Sequence, residues 1–135
     1  MIKKFTIKTT KQELVAITRK VEEVVRMSGV VDGLCTIFLP HTSASLLIQE
    51  NADPAVQQDI QTWMNRLFET ISVKFTHVLE GSDDMPAHIK SVLTCSSLSV
   101  PIISGHLALG SWQAVYLWEH RKTPHTREVI VHVTT

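Results

Sequence analysis

Two different hydrophobic periods follow one another in the first forty residues. Apolar and polar residues alternate over residues 2–9, which predicts a half-buried β-strand. Over residues 12–27 the period becomes helical, with one apolar stripe formed by Leu14, Ile17, Val21, Val24 and Val25. Gly29 is predicted to end this helix, because glycine readily adopts the left-handed conformation at a helix C-terminus. Residues 31–39 are apolar on both faces and predict a central strand.

The middle of the chain predicts one strand and two helices. Residues 44–48 form an apolar run that is typical of a strand. Asp53 followed by Pro54 predicts a helix start, since the carboxylate caps the first turn and proline fits the first helical position. The buried stripe of this helix is predicted to contain Val56, Ile60, Trp63, Met64 and Leu67. The acidic loop over residues 81–84 then opens a shorter helix that runs to about residue 95.

The last third of the chain reads as strands. Residues 98–103 and 112–119 are apolar runs, and residues 128–133 alternate with valines on one face. Helices and strands are intermixed without a regular strand–helix alternation. The sequence therefore predicts an α+β fold with a largely antiparallel β-sheet, two main helices and one short helix. The length is that of a single domain, residues 1–135.

Charge and composition narrow the classes of function. The chain has 13 Lys and Arg and 13 Asp and Glu, so it lacks the basic excess of a nucleic-acid-binding surface. Its net charge of zero also means that charge repulsion does not oppose self-association. No segment reaches the ~18 apolar residues of a membrane span, and the N-terminus does not resemble a signal peptide. The expected location is the cytoplasm. Cys35 and Cys95 lie outside any CxxC pair and are predicted to be buried, reduced thiols.

The first of three polar clusters follows the predicted central strand. His41, Thr42 and Ser43 offer an imidazole, two hydroxyls and backbone N–H groups, which suit an anion such as phosphate. The alternative is a Ser/Thr-rich turn that satisfies its own backbone. Glu50 and Asn51 come just before the capped helix and have no evident local structural role.

The second cluster surrounds the start of the short helix. Two histidines and three carboxylates lie within 12 positions, namely His77, Glu80, Asp83, Asp84 and His88. These side chains are plausible ligands for a divalent metal, although their spacing matches no standard zinc motif such as HExxH. In the alternative interpretation one aspartate caps the helix and the other groups are solvated.

The third cluster ends the strand predicted over residues 112–119. Glu119, His120 and Arg121 place three ionisable groups close together, and Arg121 could hold a phosphate with two parallel hydrogen bonds. The alternative is a solvated strand end that makes surface ion pairs. The three tryptophans, Trp63, Trp112 and Trp118, are predicted to pack in the core.

Taken together, these strings resemble the signature of the YjbQ-like family of small proteins. The matching motifs are His41-Thr42-Ser43-Ala44-Ser45-Leu46, Glu50-Asn51, Asp53-Pro54, His77, Glu80-Gly81-Ser82-Asp83-Asp84-Met85-Pro86-Ala87-His88-Ile89-Lys90, Gly110, Trp112-Gln113 and Glu119-His120-Arg121. Ser111 departs from the family, which usually has threonine there, but keeps the hydroxyl. Some members are described as secondary thiamine-phosphate synthases. Their reaction joins hydroxymethylpyrimidine pyrophosphate to a thiazole phosphate and releases pyrophosphate.

This resemblance implies an α+β sandwich that assembles as a homotrimer. It also implies a histidine-lined site, within or between subunits, that holds a divalent metal ion such as zinc. His77, His88 and His120 are the expected ligands, and His41 is the alternative to any one of them.

The remaining matched residues are assigned by the same resemblance. Catalytic or orienting roles fall to His41, Glu50, Asn51, Asp84 and Glu119. Contacts to a small phosphorylated ligand fall to Thr42, Ser43, Lys90, Gln113 and Arg121. Two alternatives stay open: a non-catalytic trimer that binds a metal ion or a phosphorylated metabolite, and polar clusters that are structural and lie at trimer contacts.

Overall fold

The computed structural model describes residues 1–135 and contains eight strands and three helices. In chain order these elements are β1 (Ile2–Thr9), β2 (Glu13–Ala16), α1 (Thr18–Ser28), β3 (Gly33–Phe38), β4 (Ala44–Glu50), α2 (Pro54–Thr70), α3 (Asp84–Leu93), β5 (Ser97–Ile103), β6 (His106–Leu107), β7 (Gln113–Glu119) and β8 (His125–Thr134). The predicted α+β class, with two main helices and one short helix, is confirmed.

The strands form two antiparallel sheets. The five-stranded sheet has the order β1-β8-β3-β5-β6, which places β3 at its centre as the apolar pattern predicts. The three-stranded sheet has the order β2-β7-β4. Every strand pair in both sheets is antiparallel. Strands β7 and β8 are consecutive in the chain but belong to different sheets, so the segment between them connects the two layers.

The hydrophobic core lies between the two sheets and helix α1. It contains 18 buried residues: Ile7, Ile17, Val21, Val24, Val25, Cys35, Ile37, Leu39, Ala44, Leu46, Val100, Ile102, Leu107, Val115, Leu117, Val129, Val131 and Val133. Each fully buried Val, Leu or Ile side chain contributes about 1.5–3 kcal/mol through the hydrophobic effect. The inward residues of β8 alternate along the strand, as the sequence pattern predicts.

The predicted start of the first helix is wrong. Residues Glu13–Ala16 pair with β7 as strand β2, and helix α1 begins only at Thr18. The backbone N–H of Ile17 donates to the carbonyl of Val115 at 2.9 Å, so pairing with β7 competes with the helical pattern and prevails over these residues. The predicted end is confirmed, because Gly29 has a φ of 71° and its N–H donates to the Arg26 carbonyl.

Helix α2 begins as predicted, but its buried stripe is smaller than expected. The Asp53 carboxylate accepts a hydrogen bond from the Ala55 N–H at 2.9 Å, and Pro54 occupies the first turn. Met64 is the only buried residue of the helix, and Trp63 is 65% exposed. The prediction of Trp63 as a core residue is therefore wrong, because α2 packs outside the main core and contributes no residue to it.

Two further burial predictions are wrong. Trp112 lies in the turn before β7 and is 65% exposed, whereas Trp118 is buried as predicted. Cys95 is exposed, while Cys35 is buried in the core, where burial raises the pKa of its thiol to about 11. Cys35 is thus a protonated, inert thiol. No helix has both the length and the apolar character that a membrane crossing requires.

Gly33 provides a test of the packing between β3 and the end of β8. A Cβ atom at this position would lie 2.2 Å from the Thr134 carbonyl oxygen and 2.8 Å from Cγ1 of Val30. We expect Gly33→Ala to lower the free energy of unfolding by about 1–3 kcal/mol, measured by urea denaturation. The exposed control Lys8→Ala should change it by less than ~0.5 kcal/mol. Equal stabilities for the two variants would contradict the close approach.

Candidate metal centre

Helix α3 and the segment before it bring two imidazoles and a carboxylate together. Asp84 and His88 are one helical turn apart and therefore share a face of α3. Oδ2 of Asp84 lies 2.6 Å from Nε2 of His77 and 3.0 Å from Nε2 of His88. The three ligand atoms lie within 4.8 Å of one another. We refer to these three candidate metal ligands, His77, Asp84 and His88, as the metal cluster.

The orientation of the His88 ring is fixed from the loop after β3. Nδ1 of His88 lies 2.8 Å from the carbonyl oxygen of Thr42. A carbonyl only accepts, so Nδ1 carries the hydrogen, and the lone pair of the neutral ring is on Nε2. That lone pair faces a carboxylate oxygen, an arrangement of two acceptors that is stable only with a positive charge between them. A proton on the ring or a metal ion supplies that charge.

Arg121 binds the carboxylate of the metal cluster through the oxygen that does not face the histidines. Its NH1 group donates to Oδ1 of Asp84 at 2.7 Å, its Nε to Oδ2 of Asp83 at 3.0 Å, and its NH2 to the carbonyl of Glu80 at 2.8 Å. All three nitrogens of the guanidinium are therefore engaged within the chain. This arrangement positions Asp84 and leaves two of the five guanidinium N–H donors, one on NH1 and one on NH2, without a partner in these three bonds.

Asp84 is ionised in this environment. Its side chain is only 2% exposed, and burial alone raises the pKa of the carboxyl. The hydrogen bond with His77 and the positive charge of Arg121 outweigh burial, so the pKa of Asp84 is lowered. The carboxylate is available as a ligand at neutral pH.

A buried ion pair lies beneath the loop that carries Thr42. Arg127 donates to both oxygens of Glu119, at 2.8 Å and 2.5 Å, and to Oγ of Ser43 at 2.9 Å. Thr9 adds a hydrogen bond to Glu119 at 2.6 Å. Burial raises the pKa of Glu119, but Arg127 and Thr9 outweigh it and the pKa is lowered. Glu119 and Ser43, predicted as catalytic and ligand-binding residues, are thus bound to Arg127 inside the protein.

Arg127 is absent from the predicted site residues, although the sequence carries a signal for it. It occupies the inward face of β8, in register with Val129, Val131 and Val133. An arginine on an otherwise apolar strand face needs a buried anionic partner. This reasoning points to Glu119, the buried acid at the end of β7.

His120 does not join the metal cluster. The residue is fully buried, its Nε2 lies 2.8 Å from Oγ of Ser45, and its ring packs 4.9 Å from that of Trp118. Its Nδ1 has no hydrogen-bond partner. Burial lowers the pKa of His120 to about 3, so the ring is neutral. Within the single chain His120 therefore lies apart from His77 and His88, and Asp84 is the residue that contacts both of them.

His41 lies next to the residue that orients His88. Its Nε2 accepts a hydrogen bond from the Glu128 N–H at 2.8 Å, so in the neutral ring the hydrogen is on Nδ1. Burial and the charge of Arg127 lower the pKa of His41. Nδ1 makes no hydrogen bond within the chain.

Lys90 is buried two residues beyond His88 on α3. Its side chain is 3% exposed, and Nζ donates to Oδ1 of Asn65 at 2.8 Å. Burial lowers the pKa of Lys90, and the charge of Lys122 lowers it further. Lys90 also lines a polar cavity between α2 and α3.

Three predicted site residues lie at the opposite end of the three-stranded sheet. In the β4–β7 ladder Ala44 pairs with Glu119, whereas Glu50 pairs with Gln113. Six residues of strand separate these pairs by about 20 Å. Asn51 follows β4 and bonds through its N–H to the Trp112 carbonyl, and Gln113 accepts from the Gly110 N–H. The single chain therefore brings parts of all three polar clusters together, through Thr42, His88 and Arg121, but leaves Glu50, Asn51 and Gln113 at a distance.

Fold and cluster together define a class of small two-sheet α+β protein with a histidine–carboxylate centre at the start of a short helix. The family described as "UPF0047 protein YjbQ-like" matches residues 3–135. The chain belongs to this family.

Relatives and solved structures support this assignment over almost the whole chain. The UPF0047 protein sll1880 of Synechocystis sp. is 56% identical over 115 residues, covering 85% of this chain and 78% of that protein. The UPF0047 protein MJ1081 of Methanocaldococcus jannaschii is 41% identical over 134 residues, covering 98% and 94%. A crystal structure of a YjbQ/UPF0047 family protein from Clostridium acetobutylicum superimposes with a TM-score of 0.89 at 37% identity, covering 98% of this chain and 99% of that one.

The buried His120 predicts a specific pH dependence of stability. The unfolded ring has a pKa of ~6.5 and the folded one a pKa of about 3, so between these values only the unfolded chain binds a proton. Stability is therefore lost as the pH falls below ~6.5, by up to ~1.4 kcal/mol per unit. We expect urea denaturation to show His120→Gln losing less stability than the wild type between about pH 7 and about pH 5. The exposed control His106→Gln should follow the wild type. A wild-type pH slope in His120→Gln would contradict a neutral His120.

Proposed function

We propose that this chain binds a divalent metal ion through Nε2 of His77, Oδ2 of Asp84 and Nε2 of His88. The observation that carries the proposal is the grouping of these three ligand atoms within 4.8 Å of one another, with the His88 ring held by the Thr42 carbonyl. Two imidazoles and a carboxylate suit zinc and other first-row divalent metals. Zinc is the first candidate. Three protein ligands leave a position open for water or a ligand oxygen, as in catalytic sites.

The proposed activity is that of a small metal-dependent enzyme acting on a phosphorylated ligand. When bound, the metal ion supplies positive charge that neutralises departing phosphate oxygens. Arg121 keeps Asp84 ionised and in place through the 2.7 Å hydrogen bond. His41, whose Nδ1–H is not used within the chain and which precedes Thr42, is the proposed proton-transfer residue.

The finer proposal is a transferase reaction of the thiamine-phosphate synthase kind. Its support is the resemblance in the motifs around His41, His88 and Arg121. In this reaction the thiazole nitrogen forms a bond to the pyrimidine methylene carbon, and the bond from that carbon to the pyrophosphate oxygen breaks. Both substrates carry phosphate groups, which fits a centre with an open metal position.

We propose further that the chain works as a homotrimer. Two large apolar side chains, Trp63 and Trp112, are each 65% exposed in the single chain, and Phe38 on the outer face of β3 is 42% exposed. Contiguous exposed apolar patches are typical of interaction surfaces, and the proposal is that the neighbouring subunits cover these side chains. In such an assembly Glu50 and Gln113 of one subunit would lie near the metal cluster of a neighbouring subunit. Within a single chain they lie far from it.

Substitution of one proposed ligand tests the metal centre. We expect the wild type to retain ~1 metal ion per chain after gentle purification, measured by elemental analysis. His88→Ala should reduce this content at least ~10-fold, because two ligands hold the ion more weakly than three. Its mass in solution, expected at three times that of the chain, should not change. The control His106→Ala, on an exposed histidine outside the metal cluster, should bind metal as the wild type does. Full metal content in His88→Ala would remove His88 from the ligand set.

An assay with hydroxymethylpyrimidine pyrophosphate and thiazole phosphate tests the transferase proposal. We expect the wild type to release pyrophosphate and form thiamine phosphate, and chelator treatment to abolish the rate. Asp84→Asn should lower kcat at least ~100-fold through loss of the ligand charge, whereas His106→Ala should keep the wild-type rate. Stoichiometric metal without turnover would instead favour the alternative, a non-catalytic protein that binds a metal ion or a phosphorylated metabolite.

A further inference from the structure

A polar cavity of about 210 Å³ lies between α2 and α3, on the other side of Arg121 from the metal cluster. Its polar wall is formed by Gln12, Asn65, Glu69, Ser82, Asp83, Lys90 and Lys122. The volume is several times that of a water molecule in the liquid, ~30 Å³. The cavity can therefore hold a small polar group rather than solvent alone.

Lys90 is the unusual member of this wall. It is 3% exposed, and no carboxylate lies within 4.0 Å of its ammonium group, whereas buried charges are ordinarily paired. One N–H donates to Oδ1 of Asn65 at 2.8 Å, and the group lies 5.3 Å from the centre of the Phe68 ring. An ammonium has three N–H donors, so two remain for a ligand in the cavity.

The amide that holds Lys90 is itself fixed by its neighbours. Oδ1 of Asn65 also accepts from Nε2 of Gln61 at 3.3 Å, and its Nδ2 donates to Oε1 of Gln12 at 3.3 Å. Gln12 in turn donates to the carbonyl of His120 at 3.1 Å. This chain of hydrogen bonds directs an amide oxygen at Lys90 and holds the ammonium at the cavity wall before any ligand binds.

The acidic members of the wall do not neutralise Lys90. Asp83 accepts from Nε of Arg121 at 3.0 Å and from the N–H of Lys122 at 2.9 Å, so its charge is already paired. Glu69 lies at the exposed rim, 4.0 Å from Arg66. The donors that stay free at the wall are the ammonium groups of Lys90 and Lys122 and the hydroxyl of Ser82.

We infer that the cavity beside Lys90 binds a tetrahedral oxyanion, the phosphate group of a small ligand. Several oxygens allow such a group to accept from Lys90, Lys122 and Ser82 at once, and its charge supplies the partner that Lys90 lacks. The phosphorylated nature of the ligand rests on the proposed function. The site itself does not need the metal, because none of its donors belongs to the metal cluster.

Calorimetric titration of chelator-treated full-length protein with inorganic phosphate tests this inference. At constant ionic strength we expect Lys90→Met to weaken phosphate binding at least ~10-fold, as expected for loss of a charge-assisted hydrogen bond. Methionine matches the length of the lysine stem, so thermal unfolding should show a folded variant. Lys122→Met, an exposed change in the same wall, should weaken binding by a smaller factor. The matched control Lys74→Met removes an exposed lysine outside the cavity and should bind phosphate like the wild type.

The inference would be overturned if the wild type bound no phosphate at about 10 mM, or if Lys90→Met bound phosphate as tightly as the wild type. Acetate that binds as tightly as phosphate would also overturn it, since a carboxylate has only two oxygens. His88→Ala separates this inference from the proposed metal centre. That variant should lose metal and keep its affinity for phosphate. The metal content therefore tests the metal centre, and the phosphate affinity tests the cavity, independently of each other.

Discussion

The ion pair between Glu119 and Arg127 is the interaction on which the other features depend. Both side chains are at least 95% buried, and each comes from a different sheet, since Glu119 ends β7 and Arg127 lies on β8. Thr9 of β1 and Ser43 of the loop after β3 bond to the same pair. Loss of either charge would leave the other unpaired in the interior and would lower the free energy of unfolding by about 3–5 kcal/mol. The pair therefore fixes how the two sheets meet.

The geometry of the metal cluster depends on this ion pair between Glu119 and Arg127. The Arg121 N–H donates to Glu119 at 3.1 Å, so the backbone that carries the Arg121 side chain is tied to the ion pair. Arg121 then holds Asp84, and Asp84 contacts both histidines. On the other side, Ser43 is held by Arg127, and its neighbour Thr42 orients His88. The three ligand side chains come from one short helix and one loop, but buried groups on the sheets set their directions.

The sequence predicted those features that are decided locally and missed those decided by distant contacts. The helix start at Asp53 and the helix end at Gly29 depend on caps within a few residues, and both predictions are confirmed. Residues 13–16 carry a helical pattern but pair with β7, because a neighbouring strand offers hydrogen bonds that periodicity does not reveal. Motif resemblance grouped the polar residues, yet only the register of β4 and β7 shows that Glu50 lies far from His88. Likewise, only the fold shows that His120 points into the interior.

Arg121 binds Asp83 and Asp84 at once, and these adjacent carboxylates face different surroundings. Asp83 belongs to the wall of the cavity, whereas Asp84 belongs to the metal cluster. A planar guanidinium cannot turn toward one carboxylate without changing its angle to the other. The two carboxylates are therefore held in a fixed relative position by one rigid group. A single arginine thus sets the position of one acidic side chain in each of two neighbouring sites.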